Sequence, residues 1–93
     1  MKQIPIVKIF ATEERFQQLK DIDKYFERMV KNDTYLTFCI MKTVTAANKP
    51  KIRQSISIYG SRSRYVIAEK VLTKEYIEKL TEVVPELKDY FTQ

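Results

Sequence analysis

The sequence predicts an α+β fold: a single domain over residues 1–93, with a mainly antiparallel sheet and two helices packed on one of its faces. Three observations predict this class. Two stretches repeat apolar residues at helical spacing, four shorter stretches have the character of strands, and turn residues separate the later strands. The resulting order is β-α-β-β-β-α, and 93 residues are enough for one modest hydrophobic core.

The first strand is predicted at residues 3–10, where apolar side chains fall on both faces and favour an inner or well-covered position in the sheet. Pro5 near its start suits an edge or a first strand position. A helix is then predicted from an N-cap at Thr12 to about Lys31, with acidic residues in its first turn. Its apolar positions are Phe16, Leu19, Ile22, Phe26, Met29 and Val30.

Three consecutive strands form a predicted meander. Residues 34–45 are rich in β-branched and aromatic side chains, a turn at 46–51 follows, and alternation resumes at Ile52. Gly60 permits a positive φ in the next turn, and the fourth strand spans residues 65–72 with an ambiguous core-facing side. The expected core-facing residues of the second and third strands are Leu36, Phe38, Ile40, Val44, Ile52, Ile56 and Ile58.

Thr73 is expected to cap the last helix, whose apolar positions step by three and four residues to Phe91. Pro85 removes one helical hydrogen bond and crowds the preceding turn, so a kink or a break into two short helices is predicted near Val84. The apolar stripe of this segment also suits a homodimer contact, because a chain of this size gains stability from association.

The composition argues against an enzyme. With no histidine and a single glycine, the chain lacks a Ser-His-Asp triad, a Cys-His pair and a Gly-rich phosphate loop. Cys39 is the only cysteine, which excludes a typical zinc site and predicts a small buried hydrophobe in a strand. Asp21 and Asp23 are expected to be solvated charges that cannot share a metal. We therefore expect no catalytic residue, no cofactor and no metal.

No apolar run reaches the ~18 residues that a membrane span needs. The amino-terminal residues have the pattern of a strand and not of a signal peptide. Together with the single cysteine, these features predict a cytoplasmic protein without a membrane partner.

The positive charge is concentrated in the predicted meander. Residues 34–68 contain six basic residues and no acidic one, whereas the rest of the chain is nearly balanced. The basic residues are Lys42, Lys49, Lys51, Arg53, Arg62 and Arg64. Tyr35 and Tyr59 fall on the polar face of the same strands, where tyrosines can stack on unpaired bases.

This pattern predicts a small non-catalytic protein that binds RNA or single-stranded DNA through the basic meander, with these eight residues as the binding site. An alternative is a protein-interaction module or inhibitor, of the kind that phages and mobile elements carry, which docks its basic face on an acidic or nucleic-acid-processing protein. A third interpretation is plain solvated surface, because charges near strand ends discourage aggregation and tyrosines also serve packing or dimer contacts.

Overall fold

Four strands form one antiparallel sheet in the order β1-β2-β3-β4. The structure is a computed structural model that describes residues 2–44 and 52–91. The strands are β1 (Lys2–Phe10), β2 (Tyr35–Val44), β3 (Ile52–Gly60) and β4 (Arg64–Ile67). The helices are α1 (Glu14–Gln18), α2 (Lys24–Asn32), α3 (Lys74–Val83) and α4 (Lys88–Phe91). Short 3-10 turns lie at Leu19–Asp21, Glu69–Val71 and Pro85–Leu87. The predicted α+β class and antiparallel sheet are confirmed.

The core forms where alternate strand residues meet the apolar sides of the helices. Phe38 of β2 pairs with Ile58 of β3, and Ile40 pairs with Ile56, so these side chains share one face of the sheet. All four are fully buried, as the alternation predicted. The helical and 3-10 segments add Phe16, Leu19, Phe26, Met29, Leu80 and Leu87 to the core.

The apolar residues on both faces of β1 have a different cause from the one predicted. β1 pairs only with β2 among the described strands and is therefore an edge strand, not an inner one. Its pairing register shifts between Pro5 and Val7, which leaves Ile6 as the extra residue of a β-bulge. Ile6 and Val7 both pack against the core as a result. The consecutive apolar residues Ile6 and Val7 are therefore explained by a β-bulge in an edge strand.

The single helix predicted from Thr12 is divided into α1, a 3-10 turn and α2. The interruption lies at Asp23, whose backbone is extended and whose carboxylate accepts a hydrogen bond from Tyr25 N at 3.1 Å. This is the geometry of an N-cap, so Asp23 begins a new helix and is not the solvated charge expected from the sequence. Thr12 does not cap α1, since Glu13 occupies that position.

The carboxyl-terminal half follows the sequence more closely. The side chain of Thr73 accepts a hydrogen bond from Tyr76 N at 3.2 Å, which confirms the predicted cap of α3. α3 ends at Val83 and Pro85 opens a 3-10 turn, so the predicted break is confirmed. β4 is shorter than predicted, because the backbone leaves the sheet after Ile67 and forms a 3-10 turn. None of the helices within residues 2–44 and 52–91 has the length and apolar character of a membrane span.

Candidate nucleic-acid interface

The face of the sheet opposite the core carries a mixture of cations, rings and small side chains. We call it the outer face and define it by Lys8, Phe10, Tyr35, Thr37, Cys39, Ser57, Tyr59, Arg64 and Val66, which alternate with the core-facing strand residues. Two of its apolar side chains are well exposed, Phe10 at 50% and Val66 at 38%. Cys39 and Ser57 pair with each other at its centre and are buried. Cys39 is therefore the buried hydrophobe that the sequence predicted, and burial raises the pKa of its thiol.

One row of side chains crosses all four strands of the outer face. Lys8 pairs with Thr37, Thr37 with Tyr59, and Tyr59 with Arg64. Because neighbouring strands lie about 4.8 Å apart, the backbones of the two terminal residues are separated by roughly 14 Å. The row therefore has a cation at each edge of the sheet and a ring between them.

Each cation of this row lies close to a tyrosine. Lys8 Nζ is 4.1 Å from the centroid of the Tyr35 ring and 5.5 Å from that of Phe10. The guanidinium carbon of Arg64 is 5.5 Å from the centroid of the Tyr59 ring. Such contacts hold a cation against a ring by electrostatic attraction and bring positive charge to the aromatic surface.

The strands themselves contain no acidic residue. Their basic residues are Lys2, Lys8, Lys42, Arg53 and Arg64, whereas the 12 acidic residues of the chain all lie in helices, turns and connecting segments. The positive potential of the sheet is therefore not offset by carboxylates on the strands.

The turn between β3 and β4 is held by a buried carboxylate. Asp33 Oδ1 accepts hydrogen bonds from the backbone N–H groups of Arg62 and Ser63, the latter at 3.0 Å. Ser61 Oγ lies 3.4 Å from the same oxygen and accepts a hydrogen bond from Thr34 N at 2.8 Å. These contacts use backbone and serine groups, and the Arg62 side chain stays exposed to solvent.

Gly60 is needed in this turn for space and not for its backbone angle. No glycine among the described residues has a positive φ, so this turn does not use the left-handed conformation that glycine permits. A Cβ at this position would instead lie 2.5 and 2.7 Å from the two carboxylate oxygens of Asp33. Only hydrogen fits against the carboxylate that holds the turn.

The structure brings together part of the predicted binding site. Tyr59 and Arg64 are cross-strand neighbours, Tyr35 lies on the same face, and Arg62 extends from the adjoining turn. Two further predicted residues lie in the strands, and the structure describes only their backbones: Lys42 pairs with Gln54, and Arg53 pairs with Thr43. Lys49 and Lys51 lie outside the described residues.

Sequence reasoning missed Lys8, Phe10 and Asp33. The first two lie in β1, outside the acid-free segment 34–68, and their pairing with β2 is a tertiary contact. The sequence did contain a signal for the first two, because Lys8 and Phe10 alternate with the apolar Ile9 and so fall on the opposite face of the strand. Ile9 is fully buried in the structure. Among residues 2–44 and 52–91, no group of three Cys, Asp or Glu side chains is placed to hold a metal ion.

Comparison of the chain with protein-family models, with curated proteins and with solved structures found no match.

Proposed function

We propose that this protein binds single-stranded RNA or DNA on the outer face of its sheet, without catalysis. The observation that carries the proposal is the row from Lys8 to Arg64, in which the cation at each edge of the sheet lies against the ring of a half-buried tyrosine. These tyrosines are Tyr35 beside Lys8 and Tyr59 beside Arg64. In this role Lys8, Arg62 and Arg64 neutralise phosphates.

The aromatic residues favour an unpaired strand over a duplex. Tyr35, Phe10 and Tyr59 belong to strands of the sheet, so their rings lie side by side on one sheet surface. Bases stack on such rings only when they are not already stacked in a helix. A single strand lying on the outer face meets cations at both edges of the sheet and rings between them.

A protein with an acidic surface is the second candidate partner. The observation that favours it is the exposed apolar area of Phe10 and Val66, which suits a protein contact surrounded by positive charge. In that case the protein is an interaction module or inhibitor of phage or mobile-element type, and the same basic face performs the docking.

Fluorescence anisotropy with labelled single-stranded RNA, single-stranded DNA and duplex DNA tests the proposal. The test variant is Lys8→Ala with Arg64→Ala. The matched control is Lys20→Ala with Lys88→Ala, which removes the same charge from exposed positions in a 3-10 turn and α4. We expect wild type and control to bind a single strand, and the test variant to lose about tenfold or more in affinity. In the wild-type background, we expect Tyr35→Leu also to weaken single-strand binding, whereas Tyr35→Phe should retain it.

Two results would contradict the proposal. Equal losses in the test and control variants would show that net charge alone governs binding. No binding to any of the three nucleic acids would rule out the nucleic-acid function and direct the search to an acidic protein partner.

A further inference from the structure

A second aromatic surface lies on the other side of β4. Tyr25, in the first turn of α2, is 56% exposed although it is an aromatic residue. One face of its ring is stacked on Tyr65, with the centroids 4.3 Å apart and the planes 15° from parallel. The exposed area of Tyr25 therefore includes the outer side of an existing stack, where a further ring can be added.

The stack of Tyr25 on Tyr65 is held in place by hydrogen bonds to the Asp23 carboxylate. Tyr65 OH donates to Asp23 Oδ2 at 3.0 Å, and Tyr76 OH donates to the same oxygen at 2.9 Å. The Tyr65 ring also meets the buried Phe26 ring edge-on, with centroids 6.0 Å apart. Tyr25 thus rests on a ring that the core already fixes, and a base stacking on it would require little additional ordering.

Two cations flank the exposed ring. Lys24, Tyr25 and Arg28 line one shallow concave surface, and positions 24, 25 and 28 lie on one side of the helix. Neither Lys24 nor Arg28 forms an ion pair with any residue in the described ranges.

The neighbouring carboxylates are already engaged. Glu27 lies 3.6 Å from Lys31, and the Asp23 carboxylate accepts hydrogen bonds from Tyr25 N and two phenols. A ring flanked by two cations without ion-pair partners suits a nucleotide, whose base stacks while its phosphate meets the cations.

This surface adjoins the outer face across the edge of the sheet. β4 pairs only with β3 among the described strands, so its other side is an edge. Arg64 contacts the Tyr59 ring on the outer face, and the next residue, Tyr65, contacts Tyr25 on the core side. One polymer passing over the edge of β4 can contact both surfaces.

We infer that Lys24, Tyr25 and Arg28 form a second base-stacking site, occupied by the same single strand after it leaves the outer face across β4. This inference rests on the proposed function and extends the binding path beyond the sheet.

Tyr25→Trp provides a direct reporter, because the natural chain contains no tryptophan. Oligonucleotides of roughly 4 and 12 nucleotides, within the usual range of single-strand site sizes, are titrated while fluorescence and anisotropy are recorded. We expect the longer oligonucleotide to quench the tryptophan and the shorter one to quench it much less. An abasic oligonucleotide of the longer length should give no quenching. Tyr25→Ala should lower affinity for the longer oligonucleotide about tenfold and leave that for the shorter one unchanged.

The outcomes separate the two proposals. Anisotropy that shows binding without quenching, together with wild-type affinity of Tyr25→Ala at both lengths, would overturn the second site and leave the outer face intact. Absence of binding in anisotropy would overturn both.

Discussion

At the scale of single residues, the turn between β3 and β4 depends on one pair, Asp33 and Gly60. Asp33 is 4% exposed, and its Oδ2 has no hydrogen-bond partner among the described residues, while Oδ1 receives the donors of the turn. The carboxylate contributes to the position of Arg62 and Arg64 by fixing the backbone between them. The buried carboxylate of Asp33 has this role, so we expect the effects of substitutions at Asp33 and Gly60 on stability to be strongly coupled.

We predict that Gly60→Ala lowers the free energy of unfolding by about 1–3 kcal/mol, because the new methyl group overlaps the Asp33 carboxylate. In an Asp33→Ala background the same substitution should be neutral or stabilising by about 0.4–1 kcal/mol, since the φ of Gly60 is not positive and alanine restricts the unfolded chain. Urea unfolding of the four proteins in this cycle measures the coupling. Additive effects would show that the close approach has no energetic consequence.

The importance of Gly60 could be read from the sequence, but the reason could not. A single glycine beside serines predicts a turn through its conformational freedom, whereas the observed requirement comes from Asp33, 27 positions earlier in the chain. Contacts between distant positions leave no local pattern. The same limit hid the contact of Lys8 with the Tyr35 ring, because the register of β1 against β2 depends on a bulge.

At the scale of elements, Asp23 joins α2, β4 and α3. It caps α2 and accepts hydrogen bonds from Tyr65 in β4 and Tyr76 in α3. Burial, assisted by Asp23, raises the pKa of Tyr65 to about 12, and the same causes raise the pKa of Tyr76 well above its ordinary value. In the unfolded chain both phenols titrate near pH 10.

We therefore predict a loss of stability in alkaline solution. A phenol whose pKa is raised in the folded state stabilises the protein fully at pH values below the pKa of the same phenol in the unfolded chain. This contribution disappears as the pH rises from about 10 to 12. Urea unfolding across this range should show a steeper decline for wild type than for Tyr65→Phe. Tyr90→Phe is the control, because its phenol makes no hydrogen bond with a described residue. Identical slopes for wild type and Tyr65→Phe would contradict this role of the cluster.

A second connection joins α1 to the segment after Pro85. Arg15 Nη1 lies 2.7 Å from both carboxylate oxygens of Glu86, and Arg15 Nε lies 2.9 Å from Glu13. The Arg15 guanidinium lowers the pKa of the Glu86 carboxyl, so the contact stabilises the fold above the unfolded pKa of that group and is lost as the pH falls through the lower, folded value.

We predict that Glu86→Gln lowers the free energy of unfolding by at most about 1 kcal/mol at about pH 7, because the pair is partly solvated. The difference from wild type should shrink below about pH 4, where the unfolded carboxyl is protonated. The exposed Glu78→Gln serves as control. A difference that persists unchanged at about pH 3 would show that the ion pair is not its cause.

Elements were predicted where their signals are local. The alternation of β2 and β3, the Thr73 cap and the break at Pro85 each depend on a few consecutive residues, and the structure has all three. The division of the first helix was missed because its apolar spacing continues through Asp23. That spacing is compatible with both one helix and two, and only the extended backbone of the cap distinguishes them.

At the scale of the whole molecule, the separation of charge is the property on which the proposed function depends. The chain has a net charge of +5, and its strands contain no acidic residue. The sheet is therefore the surface where carboxylates weaken the attraction of a polyanion least. The acid-free character of residues 34–68 was visible in the sequence. The contribution of β1 to the outer face became visible only from the pairing of β1 with β2 in the folded structure.

The measurement that tests the central claim most directly is the salt dependence of single-strand binding. If the outer face and its adjoining turns neutralise about four to six phosphates, a plot of log affinity against log salt should have a slope of about −3 to −4. Removing Lys8 and Arg64 should make that slope less steep by about 1.4, whereas the Lys20 and Lys88 control should leave it unchanged. Binding that is absent, or whose affinity does not change with salt, would contradict the account.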